Sequence, residues 1–158
     1  MLHKLLRTNN DPVLTIVRLV LGVVFFAHGA QKMLGWFGGY GFRATMGFFE
    51  HSGIPAAFAF LAIAAEFFGG LGLLLGLLTR LAAFGITCNM LVAIATVHGR
   101  NGLFMNWTGA QKGEGFEFHL LVLAITFLLM LRGAGAFSLD RLLSRQLSSA
   151  CNPIAKVA

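Results

Sequence analysis

Four stretches of the chain are apolar over about the length needed to cross a bilayer: Val13–Leu34, Pro55–Leu78, Leu81–Val97 and roughly Phe116–Leu131. A spanning helix takes about 17–25 residues. Hydrocarbon offers no water to satisfy backbone N–H and C=O groups, so each such segment must form its own hydrogen bonds as a helix. The expected fold is therefore an all-α integral membrane protein: a four-transmembrane-helix bundle with interfacial segments in the two outer loops. The fourth run is at the short end, so it tilts little or begins among the headgroups. Composition agrees, with 57% hydrophobic against 11% charged residues. Twenty glycines suit close helix approach. The chain divides into an N-terminal segment (1–12), a membrane domain (13–141) and a polar C-terminal tail (142–158).

Asp11-Pro12 makes a good start for the first helix, and Pro55 sits at the first turn of the second. Lys4 and Arg7 ahead of an apolar run, with Ala27-His28-Gly29 after it, also have the shape of a signal peptide. Arg18 interrupts that run, and the helix count works best with the segment retained. Lys4, Arg7, Arg80, Arg132, Arg141, Arg145 and Lys156 fall on the side of both termini. Lys32, Arg43, Arg100 and Lys112 fall on the other. The excess places both termini in the cytoplasm, with the chain multi-pass in the membrane. The basic residues are dispersed, so they read as topology signals and no nucleic-acid partner is expected. Cys88 and Cys151 form no CxxC, which argues against a thiol relay.

The outer loops are partly apolar. Gly41–Gly53 puts Phe42, Met46 and Phe49 on one helical face, which suits a short helix on the membrane surface. Asn101–Trp107 carries Phe, Met and Trp, which suits an interfacial or re-entrant loop.

Glu66 lies near the centre of the second span, where a charge is expensive. Ala62, Gly69 and Gly70 lie one turn from it, so that face is expected to meet another helix and not lipid. Arg18, in the first span, is a partner within reach by length. A Glu66–Arg18 pair would either fix helix packing or form a proton or ligand site; these two are the candidate catalytic residues.

His28, His51, His98 and His119 all fall at the outer end of the bundle under this topology. Lys32 is one turn after His28, and Glu117 begins the fourth span. His28, Lys32, His98, Glu117 and His119 are the candidate ligand- or cofactor-binding residues. Glu117 and His119 are two apart on a helix, so at most one of them faces the bundle centre. There is no HxxxH or HExxH spacing, so no metal site is assigned.

Arg18–Gly41 (RLVLGVVFFAHGAQKMLGWFGGYG), Ala64–Arg80 (AAEFFGGLGLLLGLLTR), Asn89–Phe104 (NMLVAIATVHGRNGLF) and Gly133–Asp140 (GAGAFSLD) occur in order. With Gly115–Leu121 (GFEFHLL), they resemble the DoxX family of small bacterial membrane proteins over about residues 13 to 141. The resemblance implies a four-helix membrane bundle and a redox association, without fixing a reaction. Its matching polar positions are Arg18, His28, Lys32, Glu66, His98 and Glu117.

Three functions follow as expectations. The first is a redox-associated component that handles a quinone. Glu66 would carry the proton, histidines would meet the headgroup, and Phe25, Phe26, Phe67 or Phe68 would line the ring. No flavin, dinucleotide or iron–sulfur motif is present, so electrons would come from a soluble or membrane redox partner or a small thiol. The second is a non-enzymatic membrane scaffold or assembly factor. The third, weaker, is metal handling at the outer histidines. A homo-oligomer is expected because four short helices have little core of their own; the bilayer itself is the other partner.

Overall fold

The computed structural model describes residues 5–151. Lys4, Lys156 and the end of the expected tail lie outside them. Among the described residues the regular structure is helical, with no strand. In chain order the helices are α1 (Pro12–Leu34), α2 (Gly41–His51), α3 (Ala56–Leu75), α4 (Thr79–Thr96), α5 (Glu117–Arg132) and α6 (Leu139–Cys151).

Local chemistry sets the ends of α1. The Asp11 carboxylate accepts the N–H groups of Val13 and Leu14 at 2.8 and 3.4 Å, and Pro12 occupies the first turn. At the other end Gly35 takes a left-handed conformation, φ 74°, and donates back to Ala30. Gly76 ends α3 the same way, φ 63°. That stop comes before Leu78, so the second apolar run is only partly helical.

α1, α3 and α4 are long and apolar enough to cross a membrane. α5 has 16 residues and a length of roughly 24 Å, just short of the usual span. The four pack in the order α1, α3, α4, α5, and α1 touches α5 only sparingly. α2 lies across the C-terminal end of α1 and the N-terminal end of α3, with the Phe42 ring edge-on to Phe60 at 6.3 Å.

The core is made by Leu21, Phe25, Leu73, Ala83, Ile86 and Met90, closed by Val122 and Leu129 of α5. The opposite faces are apolar too. Val13, Ile16, Val20 and Val23 on α1 are exposed at helical spacing, as are Phe58, Leu61 and Phe68 on α3. A helix that is hydrophobic all round belongs in lipid.

α1 and α3 meet backbone to backbone. A Cβ at Gly29 would sit 2.4 Å from the Phe67 backbone, and one at Gly70 would sit 2.3 Å from the Phe26 nitrogen. Only glycine allows that approach, and it sets the register that brings Gly29 beside Glu66. Between α4 and α5 the tie is polar: Thr87 donates its hydroxyl to Thr126 at 2.8 Å.

Candidate functional site

Glu66 is buried and held from three helices. The Lys32 ammonium, at the last turn of α1, donates to both carboxylate oxygens. Asn89 of α4 donates its amide to Oε1 at 2.9 Å. The opposite charges compensate each other, which is what an intramembrane carboxylate requires. Exposure within the pair is unequal: the Lys32 side chain is 30% exposed and that of Glu66 only 7%. Any ligand reaching this pair meets the ammonium first. The Phe26 and Phe67 rings lie 5.5 Å apart beside the same α1–α3 contact and are half-buried.

Arg18 does not pair with Glu66. The expected contact fails because α1 runs antiparallel to α3 and places Arg18 beside the C-terminal end of α3. There its guanidinium is 1% exposed. It donates to the carbonyls of Leu73, Leu74 (2.9 Å), Ala134 (3.0 Å) and Phe137 (3.2 Å). The last carbonyls of a helix have no partner inside it, so Arg18 satisfies two of them. Asp140, in the returning chain, supplies the nearby opposite charge. Its carboxylate accepts the N–H groups of Leu78 and Thr79, which begin α4, and its own N–H donates to Gly76.

Where α4 ends and α5 begins, the structure brings two of the expected histidines together. The His98 and His119 rings are 4.2 Å apart, tilted by 43°. His98 Nδ1 lies 2.8 Å from the Glu114 carbonyl, which only accepts, so Nδ1 carries a proton. His119 is buried, and its Nδ1 has no hydrogen-bond partner among the described residues. Glu117 turns toward the loop, where its carboxylate accepts from the Met105 N–H at 3.0 Å and the Trp107 indole at 3.1 Å. His28 on α1 and His51 on α2 are exposed and stand apart from the pair. No group of three or more His, Cys, Asp or Glu side chains among the described residues is disposed to hold a metal.

Two residues escape the reasoning from sequence. Asn89 is an amide inside the third apolar run, and that misplaced polarity is the signal that could have found it. Asp140 gives no such signal, because its target lies 61 residues away.

A family model described as DoxX matches residues 13–99. Membrane protein Rv3486 of Mycobacterium tuberculosis is 35% identical over 155 residues, covering 94% of this chain and 91% of its own length. Inner membrane protein YqjF of Escherichia coli is 30% identical over 136 residues, covering 86% and 95%. CatD of Bacillus subtilis, whose name carries a provisional oxidoreductase assignment, is 30% identical over 125 residues, covering 79% and 82%. No solved structure matches the chain at a significant level.

Proposed function

The chain belongs to the DoxX family of membrane proteins, and from that premise we propose that it is a quinone-linked redox component of a bacterial inner membrane. The observation that carries the proposal is the Lys32–Glu66–Asn89 trio. An ammonium and a carboxylate in contact share an exchangeable proton at membrane depth. Lys32 presents it on the more exposed side of the pair, and the Phe26 and Phe67 rings lie along the same α1–α3 contact. Reducing a quinone to its hydroquinone takes two electrons and two protons. In this proposal Lys32 donates a proton to a quinone oxygen. Water at its exposed side returns a proton to the amine, while the Glu66 carboxylate stabilises the ammonium so formed. A second round of the same exchange supplies the second proton, and a soluble or membrane redox partner supplies the two electrons. The oxidoreductase assignment in the name of CatD favours the redox side of this proposal. α5 is taken as a fourth, short span, which puts both termini on the cytoplasmic side. His98 and His119 stand at the opposite end.

Organic extraction of the purified protein, followed by mass spectrometry, tests this. Near-stoichiometric quinone in the wild type, reduced in Glu66→Gln and Lys32→Met, is the expected result. Quinone absent from the wild type, or unchanged in both variants, would overturn it.

A second function, a membrane scaffold, is favoured by one observation: Lys32 and Asn89 already engage the Glu66 carboxylate, as polar groups that glue helices do. Under it, the same variants lose thermal stability and nothing else.

A further inference from the structure

We propose that the groove between α6 and the end of α3 binds one anionic phospholipid from the bilayer leaflet at this end of the bundle. The groove has a volume of about 340 Å³ and is lined by Leu75, Phe137, Leu139 and Leu142 with Arg141 and Arg145. That is near the lower end of the size range for ligand sites. It suits a headgroup, with the acyl chains running outside.

The two classes of lining residue match the two halves of a phospholipid. Arg141 and Arg145 are one turn apart on α6 and are neighbours on its surface. Guanidinium groups suit phosphate because their N–H donors match its oxygens in pairs. Asn10 takes one donor of Arg141 and leaves others on that guanidinium. Leu75 is the last residue of a membrane-spanning helix and is exposed on its lipid side. Phe137 is 84% exposed directly before α6, and Leu142 is exposed in the second turn. The groove thus has apolar side chains from Leu75 to Leu142, with Ser138 among them, beside the cations on α6. Its position fixes its depth, because the end of a spanning helix lies at the headgroups.

Charge at this end favours an anionic lipid over a zwitterionic one. Arg80, Arg132, Arg141 and Arg145 all stand at the end of the bundle where α3 stops and α4 begins. Asp140 on α6 and Asp11 at the start of α1 stand at the same end; the Asp140 carboxylate is bound to the start of α4 and that of Asp11 caps α1.

Native mass spectrometry of the delipidated full chain in mild detergent, titrated with phosphatidylglycerol or phosphatidylcholine, tests the proposal. The wild type should bind one phosphatidylglycerol in preference to phosphatidylcholine. Arg141→Gln with Arg145→Gln should reduce that preference roughly tenfold or more, since each near-surface arginine contributes about fivefold. Arg145→Gln alone gives a partial loss and keeps the test valid if the double variant does not fold. Arg132→Gln, at the same end but outside the groove, should lower the preference by clearly less than either groove arginine does. Equal binding of the two lipids, or an equal loss in Arg132→Gln, would overturn the site. So would a lipid-free dimer that depends on Arg141 and Arg145, because a second copy would then fill the groove.

Discussion

Asp140 caps a helix that begins 61 residues before it: its Oδ2 accepts the Thr79 N–H at 2.9 Å, and its Oδ1 accepts the Leu78 N–H at 2.7 Å. An N-cap is usually local. Here Leu78 adopts a left-handed backbone, φ 49°, and makes no side-chain cap of its own. The returning chain supplies the missing acceptor and so ties the start of α6 to the α3–α4 hairpin.

Asp140→Ala should therefore destabilise the protein. Loss of a cap costs about 0.5–2 kcal/mol, and the charge beside buried Arg18 is lost as well. Asp140→Asn keeps an acceptor but not the charge, and should fall between the two. Thermal unfolding in detergent reads the order. An alanine variant as stable as wild type would refute the cap.

Lys32 and Glu66 should not be equivalent. Removing Lys32 strands a buried carboxylate, whereas removing Glu66 leaves an ammonium already 30% exposed, which can turn outward. Lys32→Met should cost more than Glu66→Gln. The double variant should recover part of the loss, because a pair replaced as a unit costs less than a pair broken. A double-mutant cycle with zero coupling would contradict the contact.

Gly70→Ala places a methyl 2.3 Å from the Phe26 nitrogen and must push α1 from α3. Overpacking of this kind costs about 1–3 kcal/mol. Gly47→Ala, on α2, meets nothing within 4 Å and should be neutral or stabilising. Similar melting shifts in both would rule out the backbone contact.

Glu117 pins the loop between α4 and α5 through Met105 and Trp107. Glu117→Ala should speed tryptic cleavage after the exposed Lys112 and shift indole emission, with little change in overall stability. Unchanged cleavage would mean that the loop is held by its other contacts, such as Asn101 to the Glu114 carbonyl.

Much of this was legible in the sequence. Apolar runs locate α1, α3 and α4 because lipid demands long uninterrupted hydrophobicity, and a shorter run locates the helix α5. The face of α2 follows from the spacing of its phenylalanines. The small residues around Glu66 announce a helix contact, and α1 makes it. The partner was misread for a geometric reason. Arg18 lay inside the first span and was long enough to reach inward, but the glycine contact at Gly29 sets a register that brings Lys32, at the end of α1, to the middle of α3. Arg18 resists a local reading because two of its acceptors lie on a segment more than 110 residues away. The His98–His119 contact depends on how α5 returns beside α4, which neither sequence neighbourhood encodes.

The carbonyl clamp at Arg18 also has a history. Ala134, which accepts its Nε, is made 116 residues later. When α1 first leaves the ribosome, neither the α3 carbonyls nor those of Ala134 and Phe137 exist. A bare guanidinium in that helix must wait beside water or headgroups until the rest of the chain arrives. The arginine is therefore satisfied in two instalments, first by Leu73 and Leu74 and then by the 134–137 segment. A nascent chain stopped short of Ala134 holds α1 by half a clamp, and such a product is what quality-control proteases would meet.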